Sequence, residues 1–218
     1  QIGAPARFIP PPANFVPACL DQLEKYLHAP KIYDPLVEAF LVHYQFETIH
    51  PFMDGNGRVG RLLLAITIKE WCGLSQQWLY MSAYFDRNKD DYLDRLFQVS
   101  ANGRWGDWIA FCLEGVIQQA QDTQLRCSRL LALREDYHKL LVTAGCPGRM
   151  VDMVDGLFVS PAATATSVKD RYGVSHPTAR ADLEYLVQLG ILTEIPLRQR
   201  RQKGYYCQDI FQITYGET

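Results

Sequence analysis

No two of the six cysteines stand at C-x-x-C spacing. Cys19, Cys72, Cys112, Cys127, Cys146 and Cys207 are scattered along the 218 residues, so a structural zinc site or a disulfide framework is not encoded. Several lie among apolar neighbours, as in Ala110-Phe111-Cys112-Leu113, the setting of buried free thiols in a reducing compartment. An excess of one charge is also missing. Twenty-two Lys and Arg face 24 Asp and Glu for a net charge of −2, which argues against a chain built as a whole to bind nucleic acid electrostatically. Long apolar runs are absent too. The stretch Leu62 to Ile68 ends at Lys69, far short of a membrane span. No basic segment followed by an apolar block opens the chain, so no secretory leader is legible and a cytoplasmic protein without a membrane partner is expected. The chain starts at Gln1 rather than Met, from which upstream residues are expected to be missing. Internal repeats and low-complexity tracts are also lacking.

What is present is helical periodicity. After a proline-rich entry that includes Pro10-Pro11-Pro12, Leu20, Leu23 and Leu27 form one stripe, and Leu36, Phe40, His43 and Phe46 a second. Val59, Leu62, Leu63 and Ile66 mark a third helix that Gly73 should cap. Trp78 to Ser82 alternates weakly and can be extended. Helical patterns resume over Tyr92 to Val99, Trp105 to Val116 and on to Val142, and Thr143 to Gly148 breaks them. Beyond that break, Thr164 to Tyr172 reads as a short helix, Gly173 as a turn and Ser175 as the N-cap of another helix. Ile191 to Ile195 and Tyr205-Tyr206 then read as two strands around a basic loop. Helix, turn, helix, hairpin is the layout of a winged helix. The expected fold class is mainly α: an all-helical domain over residues 1–142, then a winged helix-turn-helix domain over 143–218.

The chemistry concentrates in His50-Pro51-Phe52-Met53-Asp54-Gly55-Asn56-Gly57-Arg58-Val59-Gly60-Arg61. Gly55 to Gly60 fits G-x-G-x-x-G, yet a dinucleotide fingerprint needs a strand before it and an acid about 20 residues on. A helical pattern precedes Gly55, and Glu70 stands too close. A P-loop is excluded because no Gly-Lys-Ser/Thr follows. The residues still suit an anion. Glycines expose successive backbone N–H groups as a nest, and a helix starting near Arg58 aims its positive end at that nest. Arg58 and Arg61, three apart on one helix, suit a polyphosphate through bidentate bonds. Asp54 at the nest edge is a reasonable Mg²⁺ ligand, since that ion takes one or two carboxylates plus phosphate oxygens; helix capping is its alternative. His50, forced out of helical geometry by Pro51, is placed as a general base; a core histidine is the alternative. Glu47, one turn before His50, is expected on a solvated helix face.

The same twelve residues resemble the Fic-domain signature H-P-F-x-D/E-G-N-G-R-x-x-R at every defined position. Gln45-Phe46-Glu47, Leu79 to Phe85 and Trp105 to Val116 also resemble that family, and the tail resembles the winged-helix extension of one bacterial Fic subgroup. The resemblance implies a protein adenylyltransferase that moves AMP from ATP to a Ser, Thr or Tyr hydroxyl of a target, possible self-modification included, releasing pyrophosphate. It implies that His50 deprotonates the hydroxyl and that Asp54 holds Mg²⁺. Gly55, Asn56 and Gly57 would form the anion hole, with Asn56 on the α-phosphate, and Arg58 and Arg61 would bind the β- and γ-phosphates. Asn88 and Tyr92 would line the adenine side, although core packing is an equal alternative for Tyr92.

Trp78, Leu79, Tyr80, Met81 and Ser82 resemble the family's hairpin flap, on which a target protein would dock by β-augmentation. The regulatory pattern S/T-x-x-x-E-G/N of many Fic proteins is missing; in the winged-helix subgroup it lies upstream, so its removal is expected to leave a less inhibited form. Arg198, Arg200, Arg201 and Lys203 form a basic wing, for which DNA contact, protein docking and homodimer formation all stay open. The competing functions are a nucleotide-responsive DNA-binding regulator and a Fic enzyme that removes AMP or transfers another phosphoryl group.

Overall fold

The computed structural model describes residues 8–196 and 203–216. The chain divides into two compact units, residues 1–123 and 124–218. The division falls inside one uninterrupted helix, α6 (Trp105–Thr143), rather than at the break after Thr143. The reason is burial: Tyr137 and Leu141, with Leu130 and Leu133, belong to the apolar cluster of the second unit. Among the described residues, no helix is long and apolar enough to cross a membrane.

The first unit holds α1 (Val16–His28), α2 (Pro35–Ile49), α3 (Asn56–Trp71), α4 (Met81–Arg87) and α5 (Lys89–Asn102), with the first part of α6. Helix α2 starts where Asp34 accepts a hydrogen bond from the Leu36 N–H at 2.9 Å and Pro35 fills the first position. It is apolar on most sides, which a helix can be only if other helices surround it. Ala39, Phe40, Val42, His43, Tyr44, Phe46 and Ile49 are all buried. Phe40, Leu64, Phe85, Tyr92 and Trp108 form the main core, and the Trp108 indole N–H donates to the Phe40 carbonyl at 3.2 Å.

Helix α3 exists where its periodicity places it, but a different face is buried. Val59, Leu62 and Ile66 are exposed, while Gly60, Leu64, Thr67 and Ile68 turn inward. The run Leu62-Leu63-Leu64 supports either stripe; the close approach at Gly60 selects between them. Its end follows the expected capping: Gly73 has φ +64, its N–H bonds the Glu70 carbonyl, and the Leu74 N–H bonds the Lys69 carbonyl at 2.9 Å.

The expected hairpin flap is not formed among the described residues. Residues 74–80 have no strand partner, and Met81 and Ser82 open α4. The segment is held instead from α6, where the Thr123 hydroxyl donates to the Trp78 carbonyl at 2.8 Å. The buried Gln119 amide, oriented to satisfy both neighbours, donates to the Tyr80 carbonyl at 3.0 Å and accepts from Arg87 at 2.7 Å. Side-chain donors that satisfy these carbonyls replace the ladder a hairpin would need.

In the second unit, α7 (Gly148–Leu157), α8 (Ala165–Tyr172), α9 (His176–Gln188) and α10 (Gln208–Tyr215) surround strands β1 (Ala162–Thr164), β2 (Thr193–Pro196) and β3 (Lys203–Tyr206). The sheet is antiparallel in the order β1-β3-β2. The expected signals hold at Gly173, with φ +66, and at Ser175, whose hydroxyl accepts from the Thr178 N–H; Thr164 and Ser167 add a reciprocal capping box. Of the basic wing, Arg198, Arg200 and Arg201 lie outside the described residues, and Lys203 pairs with Glu194 at 2.9 Å. Cys112 and Cys207 are buried free thiols as expected, whereas Cys127 is exposed.

Gly115, in α6, faces the aromatic core so closely that an added Cβ would lie 2.5 Å from Tyr84 Cδ1 and 2.8 Å from Met81 Cε. A ring in a packed core cannot retreat without displacing its neighbours. Gly115→Ala should therefore destabilise the chain by about 1–3 kcal/mol despite the better helix propensity of alanine. An unchanged denaturation midpoint would contradict that packing.

Candidate active site

Helices α2 and α3 are joined by residues 50–55, and this joint gathers the motif. At the end of α2, His50 is the only non-glycine residue with positive φ among the described residues (φ 49°, ψ 56°), and its N–H bonds the Phe46 carbonyl at 3.1 Å. The left-handed conformation costs a β-carbon-bearing residue about 1–2 kcal/mol, so the fold holds a histidine where glycine would sit more easily. Pro51 then blocks further helix. The His50 side chain is exposed at the surface.

Asn56 ties the joint together. It is buried, its Oδ1 accepts from the Phe52 N–H at 2.8 Å, and its Nδ2 donates to the Phe52 carbonyl at 2.7 Å. The amide thus occupies both backbone groups of Phe52 and fixes the turn. Gly55 caps α3 with φ +88, a conformation suited to glycine. The first amides of α3 have no acceptor within the helix and leave a positive terminus beside Asp54 and His50.

Asp54 and Arg58 are both strongly exposed and meet at 3.1 Å. A solvated pair of this kind is weak, so either partner can turn to an incoming anion or cation at little cost. The Arg58 guanidinium lies over Gly55, where a Cβ would come within 3.2 Å of its Nη2. Arg61 is more enclosed, with 24% of its side chain exposed. Its Nη2 stands 4.0 Å from Asp86 Oδ1, and its Nη1 would meet a Cβ at Gly57 at 3.2 Å. Each glycine of Gly55-Asn56-Gly57 therefore leaves room for one arginine.

Tyr92 is not at this surface. It is buried, and its hydroxyl lies 3.0 Å from Nε2 of the buried His43, whose Nδ1 faces the Gly60 carbonyl at 3.2 Å. A carbonyl only accepts, so Nδ1 carries the proton and Nε2 accepts from Tyr92. Burial lowers the His43 pKa to about 4 against the opposing Gly60 hydrogen bond, so the ring is neutral. Asn88 joins α4 to α5: its Nδ2 donates to the Tyr84 carbonyl at 2.9 Å, and its own carbonyl accepts from the Tyr92 N–H. Among the described residues no three His, Cys, Asp or Glu side chains cluster as a metal site. A cavity of about 860 Å³ lined by Leu23, Tyr26, Tyr33 and Trp105 shares no residue with the motif.

Sequence reading misjudged Glu47. Its Oε1 is buried without a hydrogen-bond partner against Gly60, where a Cβ would overlap it and stand 3.1 Å from a Phe46 ring carbon. Burial raises its pKa to about 7, and Arg61 opposes the rise. Glu38, nine residues earlier on α2, is fully buried, and burial alone would raise it. It accepts from the Tyr26 hydroxyl, the Tyr33 N–H at 3.0 Å and the Ile32 N–H at 2.9 Å, which together leave its pKa lowered. No sequence signal pairs position 47 with position 60, and only their contact makes Glu47 conspicuous.

Residues 4–68 match the Fic/DOC family, which bears out the resemblance carried by His50 to Arg61. Among curated proteins, a probable protein adenylyltransferase of Aquifex aeolicus is 43% identical over 65 residues, covering 30% of this chain and 20% of that protein. The protein adenylyltransferase Fic of Nematostella vectensis is 41% identical over 61 residues, 24% of this chain and 14% of the relative. The match to a Caenorhabditis elegans protein adenylyltransferase is 38% over 60 residues, 27% and 12% of the two chains. These matches cover a fifth or less of the curated relatives. The structure of a Fic family protein from Desulfovibrio desulfuricans G20 has a TM-score of 0.50 at 21% identity, over 91% of this chain and 56% of that one, a likeness of fold.

The raised Glu47 pKa has a signed consequence for stability. Between the ordinary 4.5 and about 7 the folded chain binds a proton that the unfolded chain has lost. The stabilisation is complete below that window and is lost as pH rises through it. Glu47→Gln cannot lose it, so the variant should gain on the wild type by on the order of 1–3 kcal/mol between pH 5 and pH 8. Parallel denaturation curves at both pH values would show that Glu47 titrates normally.

Proposed function

We propose that this chain is a protein adenylyltransferase that moves AMP from ATP to a Ser, Thr or Tyr hydroxyl of a target protein and releases pyrophosphate. The observation that carries the reading is the joint between α2 and α3. It holds an exposed histidine in a left-handed conformation at the end of α2, and after one short turn an exposed carboxylate and two arginines at the start of α3. The curated relatives over this segment are themselves named protein adenylyltransferases.

In this reading the triphosphate lies along the start of α3. The N–H groups of its first turn and Arg58 and Arg61 hold the phosphate oxygens and orient the α-phosphorus. His50 accepts the proton of the target hydroxyl as that oxygen attacks the α-phosphorus, and the bond to the pyrophosphate leaving group breaks. Asn56 keeps the turn in shape from within; its amide is already engaged with Phe52. Asp54 suits Mg²⁺ arriving with the nucleotide, because one exposed carboxylate plus phosphate oxygens is a common donor set. Bound there, the ion would neutralise phosphate charge.

The target docks, in this proposal, along residues 74–80, where Trp78 and Tyr80 are exposed and the backbone has no strand partner. The second unit is read as a winged helix that serves protein docking rather than DNA. Arg149 is bound bidentately by Asp182, Arg180 pairs with Glu184 at 2.9 Å, and Lys203 pairs with Glu194. These cations already face carboxylates, which weakens any field offered to a phosphate backbone.

ATP labelled at the α-phosphate tests the reading directly. The wild type should label protein, itself included, and His50→Ala should lower the rate by about 10²–10⁴-fold, the usual worth of a general base. Label that persists undiminished in His50→Ala, or none with either form across candidate targets, would defeat it.

A further inference from the structure

The proposed transfer makes no use of Glu47, yet its carboxyl is the most unusual group near the motif. One oxygen is buried and bonded to nothing, and the glycine it rests on, Gly60, immediately precedes Arg61 on α3. The groups around it are few. From its own helix comes His43, which is neutral and spends its ring nitrogens on Gly60 and Tyr92. From α5 comes Tyr92, whose hydroxyl is engaged by His43. From α3 comes Arg61, whose charge acts on Glu47, His43 and Tyr92 alike. From α4, Asp86 stands 4.0 Å from the Arg61 guanidinium and is largely exposed. Arg61 thus answers to two carboxylates, one half-buried and one solvated, and forms a close ion pair with neither.

We propose that Glu47 is a positioning residue for Arg61, and that binding of a polyphosphate at Arg61 is coupled to uptake of one proton by Glu47. The proposal rests on the nucleotide site described above and adds a coupling to it. While Glu47 is ionised, its carboxylate draws on the same guanidinium that must meet the phosphates. A polyanion arriving at Arg61 takes up that charge and adds negative charge nearby, and both changes favour the neutral carboxylic acid. The proton comes from solvent, and no covalent bond changes. Binding and protonation then assist each other reciprocally. Because the free group titrates at about 7, the coupling operates near neutral pH, and nucleotide affinity falls as pH rises through that range.

Calorimetry of ATP binding to the 218-residue chain between pH 6 and pH 8.5, in two buffers of different ionisation enthalpy, measures the coupling. The titration of ATP itself is common to wild type and Glu47→Gln and cancels in their difference. Near pH 7 the wild type should take up more protons than Glu47→Gln. Its affinity should fall about three- to tenfold further than the variant's from pH 6 to pH 8, the range open to a single proton. Carbon-13 titration of the glutamate carboxyls in the wild type alone should show the near-neutral midpoint moving upward when ATP is added. Equal proton uptake with parallel affinity profiles, or a midpoint that ATP does not move, overturns the coupling and leaves the nucleotide site standing. No ATP binding by folded wild type overturns both.

Discussion

The contact between α2 and α3 at Gly60 governs the first unit. The glycine lets the Glu47 carboxyl and the Phe46 ring lie directly on α3, where a Cβ would displace the carboxyl and stand 3.1 Å from a Phe46 ring carbon. Once the helices are that close, the six residues between Ile49 and Asn56 must turn in a confined space. His50 takes the left-handed conformation and Asn56 closes the turn on Phe52 as ways of meeting that constraint. The same approach decides which face of α3 is buried and leaves Val59, Leu62 and Ile66 outside.

Charge is divided in depth around this contact. At the surface, Asp54 and Arg58 form a solvated pair that can open cheaply, and Arg61 is half enclosed between Gly57 and Asp86. Beneath them lie groups that burial keeps neutral or pushes toward neutrality: His43, Tyr92 and Glu47. The contrast between Glu38 and Glu47 shows what separates a structural carboxyl from a responsive one. Both lie on α2, and Glu38 and one oxygen of Glu47 are taken from water, but only Glu38 receives donors in return. An unpartnered carboxyl retains the desolvation penalty of its charge and so responds to any charge brought near it.

The second unit follows different rules. Its helices are delimited by local capping, as at Thr164-Ser167, Gly173 and Ser175, and its polar surface is organised by carboxylates that bind cations. Asp155 receives both Arg134 nitrogens and His138, and the Arg134 hydrogen bond leads in holding its pKa near 2. Asp182 accepts from Arg149 Nε at 2.8 Å and Nη2 at 2.9 Å. Basic residues that look available in the sequence are in this way already neutralised, which a charge count by position could not reveal.

The sequence by itself determined the helices, their caps and the chemical identity of the motif, because these depend on interactions within a few residues: hydrophobic period, N-cap hydroxyls, glycine φ, and twelve letters at fixed spacing. It also placed His50, Asp54, Arg58 and Arg61 at one joint, since a turn between two helices keeps its residues together. The tertiary structure alone decided which face of α3 is inside, that Tyr92 belongs to the core, that residues 74–80 are pinned by α6 instead of paired as a hairpin, and that one carboxyl oxygen of the half-buried Glu47 is shut away from water. Each of those depends on a partner on another helix, beyond the reach of any local pattern. For Glu47 that partner is Gly60, whose missing side chain makes room for the carboxyl and shuts out the water that would have solvated it.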